Sequence, residues 1–145
     1  MRAEPQPVAS DRADAPITQL AGWLADPVVA ADFPETVPRF RNNRAASSVE
    51  LAGLSDSEWL THFGRFGPLP ENLPEPLALR YHGHQFRVYN PEIGDGRGFL
   101  FAQMRDGEGR LLDLGTKGSG RTPWSRAGDG RLTLKGAVRE ILATE

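Results

Sequence analysis

A chain of 145 residues with 17 Lys and Arg against 19 Asp and Glu carries a net charge of −2, so it has no general pull toward nucleic acid or a membrane surface. It has no cysteine, which excludes disulfides and thiolate metal sites, and no run near the ~20 apolar residues of a membrane helix. Its 39% apolar content, with 16 glycines and 12 prolines, suits one domain with its own core and long irregular segments.

The first 16 residues (MRAEPQPVASDRADAP) are polar, of mixed charge and without periodicity. They read as a leader lacking the apolar run of a secretory signal, so a cytoplasmic, soluble protein is the expectation. Ile17–Leu24 has the pattern of a short amphipathic turn or helix, and the prolines in 32–38 mark irregular chain. Ser55-Asp56-Ser57-Glu58 is a capping box opening a helix that ends near Gly64, with Trp59, Phe63 and Phe66 as core residues. Prolines 68, 70, 74 and 76 make the following run a stiff connector and the best boundary in the chain.

Beyond it, Asn90-Pro91 and Gly94-Asp95-Gly96 read as loop, Gly98–Met104 as a strand, and Leu111–Leu114 as its hairpin partner across Asp106-Gly107. The stretch LGTKGSGRTPWSRAGDGR at 114–131 holds five glycines, four cations and one acid. Glycines admit close backbone approach and interleaved cations favour polyanions, so a phosphate-rich ligand is the sharper reading and a solvated basic loop the plainer one. Leu134, Ala137, Val138, Ile141 and Leu142 then share one helical face, with Asp129 or Thr133 available as the cap.

Other features carry less. His82 and His84 lack a third ligand for a metal site. Arg39, Arg41 and Arg44 suit a solvated or ion-paired face, and Ser119, Thr122 and Ser125 have no base nearby in sequence, so they suit hydrogen bonds to loop backbone or phosphate.

The order Gly-rich loop, hairpin, Lys just past a strand, Gly/Arg loop and amphipathic helix is that of the small lobe of a protein kinase. Lys117 would then bind phosphate and Glu140 pair with it, although periodicity alone does not choose between Arg139 and Glu140. GHQF at 83–86, GDGR at 94–97, KGSGRTPWSRAGDGR at 117–131 and REILATE at 139–145, in this order, closely resemble the SelO (YdiU) family. These are kinase-like proteins that transfer AMP from ATP to protein hydroxyls, with ATP bound in a flipped orientation relative to ordinary kinases. The resemblance covers about residues 36–145.

It implies an α+β fold: a protein-kinase-like small lobe with an antiparallel hairpin sheet and a helix at 81–145. A helical extension with the Pro-rich connector would precede it at 36–80, after an irregular leader at 1–35. It implies that Gly94, Gly96, Arg97, Lys117, Asp129 and Gly130 bind ATP and that Glu140 positions Lys117. By the same resemblance the catalytic Asp, and the Asn and Asp that hold Mg2+ or Mn2+, belong to a large lobe beyond Glu145. The chain is therefore expected to be an N-terminal portion that is inactive alone, with ATP and protein substrates as partners and neither nucleic acid nor membrane.

Two departures stand out. The family pattern has a second glycine after HQF, where this chain has Arg87, and usually Trp where Tyr89 stands. A kinase-like phosphotransferase and a non-catalytic nucleotide-binding module remain as alternatives.

Overall fold

The computed structural model describes residues 15–144. Residues 1–14 of the expected leader, and Glu145, lie outside the described residues. The fold is α+β, built on a five-stranded sheet in which every pairing is antiparallel. The strands are β1 (Ala25–Pro27), β2 (Leu77–Gln85), β3 (Val88–Gly94), β4 (Leu100–Arg105) and β5 (Leu111–Gly115). They run β1-β2-β4-β5, with β3 paired to the far end of β2. The helices are α1 (Ala21–Leu24), α2 (Asn43–Ser48), α3 (Asp56–Trp59) and α4 (Leu134–Thr144). A five-stranded antiparallel sheet followed by a helix is consistent with a kinase-like small lobe. None of the helices is long and apolar enough to cross a membrane among the described residues.

α3 starts as its sequence requires. The Ser55 hydroxyl accepts from the Glu58 N–H, and Glu58 accepts from the Ser55 N–H at 2.8 Å. The helix then widens into a π turn over Leu60–Gly64, where the Arg65 N–H donates to the Leu60 carbonyl. This geometry brings Trp59, Phe63 and Phe66 against Phe101 and Ala102 of β4, together with Val49, Leu51 and Leu69. Arg41 belongs to this layer, and it is ion-paired as read, 3.8 Å from the Asp56 carboxylate. Its guanidinium lies 4.2 Å over the Trp59 ring and donates to the carbonyls of Leu51, Ala52 and Leu54.

β4 is buried on both sides, because Leu100 packs against Ala15, Ala25, Leu73 and Leu77, while Phe101 and Ala102 belong to the layer of α3; Phe99, just before the strand, packs against Val28 and Ala78. The sheet therefore corrects two boundaries read from sequence. First, β1 lies in the expected irregular leader, yet it pairs with β2 from Ala25–Leu79 to Pro27–Leu77; the 3-10 turn at Pro16–Gln19 and α1 match the short turn or helix read at Ile17–Leu24. Second, the Pro-rich connector, read as a boundary, is packed into the core on both sides of it. Leu69 and Leu73 are buried in it, and the Asn72 side chain pairs with the Gln103 backbone like a strand, donating at 2.7 Å and accepting at 3.0 Å. β2 also begins at Leu77, before the expected start of the lobe at 81.

The β4–β5 hairpin is where the Asp-Gly turn places it. The β2–β3 hairpin is an addition: HGHQF forms the end of β2 and its turn, and Asn90-Pro91, read as loop, lies inside β3. Its two turn residues, Phe86 (φ 54) and Arg87 (φ 68), are both left-handed, as a two-residue hairpin loop demands. β3 is an edge strand, so the missing Pro91 N–H leaves no ladder bond unmade.

Candidate functional site

The first glycine turn leaves β3 at Gly94 and enters β4 after Gly98. A Cβ on Gly94 would stand 2.5 Å from the Leu79 carbonyl oxygen and 2.6 Å from the Trp124 ring, so packing demands glycine there. Gly96 differs, since its nearest neighbour would be the Trp124 carbonyl at an ordinary 3.5 Å. Asp95 closes the turn onto β2: its N–H donates to the Leu79 carbonyl and its carboxylate accepts from the Leu79 N–H at 3.0 Å. Burial pushes the Asp95 carboxyl above the usual range, opposed by that N–H and by the nearby Lys117 charge. Arg97 is exposed at the rim.

The second loop begins after β5. Thr116 is bound to Phe99 through its N–H and hydroxyl, which sets the exit of Lys117. Lys117 Nζ lies 3.8 Å from Glu140 Oε2, with both side chains about half exposed. Solvent screens such a pair, so it orients Lys117 more than it stabilises the fold. Glu140 is delivered by α4, whose first turn is capped by Thr133: its hydroxyl accepts from the Gly136 N–H at 3.2 Å. Asp129 instead accepts from the Arg131 N–H at 3.0 Å. Gly130, at φ 73, passes so close to Gly120 that any Cβ would overlap its carbonyl.

The arginines of this loop differ in use. Arg131 turns away from the cleft, with its guanidinium 4.9 Å over Phe33 and donating to the Asp32 carbonyl. Arg126 lies 4.9 Å over the Phe86 ring at the tip of the β2–β3 hairpin. Ala31 donates to the Ser119 carbonyl, and Ser119 bridges to Arg131, so residues 31–33 support the loop from behind.

Both loops line an open cleft of about 1130 Å3. Gly94, Gly96, Arg97, Lys117, Asp129 and Gly130 all line it, and Glu140 reaches it through Lys117. The sequence reading passed over Asp95, Tyr81 and Trp124, which also form its walls. For Asp95 the signal was present in the Asp-Gly dipeptide, but it read only as a turn.

His82 and His84 take no part in the cleft wall. They flank Tyr89 on β3, whose hydroxyl sits 2.7 Å from His82 Nδ1. No three His, Asp or Glu side chains converge as a metal set among the described residues.

The family profile described as Protein adenylyltransferase SelO matches residues 11–145. The chain belongs to the SelO family. Curated relatives named Protein nucleotidyltransferase YdiU agree. The protein of Synechocystis sp. is 55% identical over 131 residues, covering 89% of this chain and 27% of its own length. That of Synechococcus elongatus is 53% identical over 128 residues, covering 87% and 25%. That of Trichormus variabilis is 47% identical over 143 residues, covering 97% and 29%. The chain thus spans about a quarter of the length of these relatives. The glycine of the SelO pattern after HQF also finds its reason here: Arg87 occupies a left-handed turn position that glycine adopts without strain.

Proposed function

We propose that the cleft binds ATP, and that this segment serves a cytoplasmic protein adenylyltransferase that moves AMP onto Ser, Thr or Tyr hydroxyls. The observation that carries this reading is the Lys117–Glu140 contact beside a glycine turn that lines the same cleft. Lys117 supplies a point charge to phosphate oxygens, Glu140 keeps its stem directed, and Arg97 offers a bidentate donor at the rim. Asp129 repels phosphate, so its role is to accept from a ribose or base donor, or to orient a neighbouring cation.

In AMP transfer the acceptor oxygen bonds to the α-phosphorus, the bond to the bridging oxygen breaks, and pyrophosphate leaves. A divalent ion such as Mg2+ or Mn2+ would neutralise phosphate charge in that step. Among the described residues no three carboxylate or imidazole groups converge to hold it. The hydroxyl proton passes to a general base as the bond forms. Family membership supports the transferase class, and the complete reaction is proposed for a polypeptide of the relatives' length.

Calorimetric titration of ATP into the chain tests the binding. Lys117→Ala is expected to weaken ATP by roughly tenfold or more, as loss of a charged hydrogen bond does, with an unchanged thermal midpoint. Equal affinity in the variant refutes the role of Lys117. The chemistry is tested by exchanging the segment into the Synechocystis relative and weighing the acceptor. A gain of AMP supports adenylylation, a gain of phosphate supports a phosphotransferase, and no gain leaves a binding module. The chain by itself is expected to transfer nothing.

A further inference from the structure

Three successive carbonyls of the first glycine turn are held by the second loop. The Thr122 hydroxyl donates to the Asp95 carbonyl, and the Ser125 hydroxyl donates to the Gly96 carbonyl at 2.6 Å. The Gly118 N–H donates to the Arg97 carbonyl at 2.6 Å. The two hydroxyls are themselves fixed. Ser125 Oγ accepts from the Thr122 N–H at 2.9 Å, and Thr122 Oγ1 accepts from the Trp124 N–H at 3.1 Å. Thr122 is buried, so little water competes for its hydroxyl.

In a trans peptide the carbonyl and the following N–H face opposite ways, and no peptide bond here is cis. Tying back the carbonyls of 95, 96 and 97 therefore orients the N–H groups of Gly96, Arg97 and Gly98 as a set. None of these three has a hydrogen-bond partner among the described residues, and all three residues lie on the cleft wall. Unpartnered N–H groups on consecutive residues form a concavity that accepts oxyanions.

We propose that Thr122 and Ser125 are positioning residues, whose hydroxyls clamp the first glycine turn so that its amides receive the phosphate chain of the nucleotide. This deepens the ATP-binding reading and rests on it. It also narrows the reading of Thr122 and Ser125 as hydrogen-bonding hydroxyls to two particular carbonyls, those of Asp95 and Gly96. The hydroxyls touch backbone rather than ligand, so their effect on binding runs through the turn. Preorganisation of this kind raises affinity because the amides need not be ordered when the anion arrives.

The test titrates inorganic tripolyphosphate into the 15N-labelled chain and follows amide resonances. In the unaltered chain, Gly96, Arg97 and Gly98 are expected to shift together with Lys117. In Ser125→Ala and Thr122→Val the dissociation constant should rise roughly five- to tenfold, the worth of one or two neutral hydrogen bonds. The shifts at 96–98 should shrink while that of Lys117 persists. Thr122→Ser, which keeps the donor, should restore both, and this separates the hydroxyl from any general loss of packing. Affinity and shifts unchanged in Ser125→Ala and Thr122→Val overturn the inference, as does a uniform loss across the cleft that Thr122→Ser does not repair. A chain that binds with Lys117 shifting and 96–98 silent overturns the inference alone. A chain that binds neither tripolyphosphate nor ATP overturns the functional reading as well.

Discussion

The two hairpins of the sheet bury themselves to opposite extents. In β4, every residue from Leu100 to Gln103 is buried, with apolar partners on both faces and β5 alongside. In the β2–β3 hairpin the distal half projects past the sheet, and Phe86 and Val88 are 78% and 67% exposed. Their turns differ in the same sense. Asp106 is buried and accepts from the N–H groups of Glu108 and Arg110 and from Arg110 Nε, which locks its turn. The Phe86-Arg87 turn holds two side chains in a backbone region that disfavours them, steadied from outside by Arg126. The β4–β5 hairpin is thus the frame of the cleft, and the β2–β3 hairpin is the wall that opens at least cost.

The largest test of that contrast is Phe101→Ala. Its ring meets Phe63 and Phe66 at 5.6 and 6.3 Å, and truncation is expected to cost about 3–5 kcal/mol in denaturant unfolding. Val88→Ala on the other hairpin should stay within about 0.5 kcal/mol. Similar costs at the two positions would end the distinction between frame and wall.

Asp106 gives the turn of the frame a pH signature. Burial pushes its carboxyl up, but Arg110 and the two N–H donors outweigh this and hold it below the usual range. A depressed folded value means the stabilisation is present above the unfolded pKa and is lost as pH falls through the folded one. Asp106→Asn should therefore flatten the fall of the thermal midpoint below about pH 4. An acid limb identical in the two proteins would remove Asp106 from the account.

On the exposed hairpin the sign reverses: Arg87→Gly should stabilise by about 1 kcal/mol, because glycine takes the left-handed turn without strain. Loss of stability would show that the Arg87 side chain does something the turn does not reveal. The smallest effect belongs to Arg126→Ala, about 0.5 kcal/mol for an exposed cation–π contact. It should appear as faster amide exchange at residues 85–88 with the β4–β5 hairpin unchanged.

The same contrast explains what could be read in advance. Asp106-Gly107 and the Ser55–Glu58 box are residue types whose local chemistry dictates a turn and a cap, and both form as read. Phe86-Arg87 carries no such signal, so no hairpin is legible there, and Asn90-Pro91 reads as loop. An edge position then let Pro91 sit in a strand. At the cleft, the pairing of Lys117 with Glu140 came from family likeness and element order, since helical periodicity did not separate Glu140 from Arg139. Gly94 and Gly130 stood out as glycines, but their cause is contact with Leu79, Trp124 and Gly120 rather than room for a ligand alone.

By itself the sequence determined the local pieces: the capped α3, the Asp-Gly hairpin, the apolar face of α4 and a cationic glycine-rich loop. These depend on neighbours within about one helical turn or one hairpin loop, which composition and spacing encode. Only the tertiary structure decided that β1 joins the sheet beside β2, that residues 31–33 back the second loop, that Asn72 completes the edge of β4, and that Thr122 and Ser125 bond the first glycine turn. Those bonds join side chains and N–H groups to backbone atoms roughly 30 to 90 residues away. A carbonyl is the same in every residue, so no motif announces which one a hydroxyl will find.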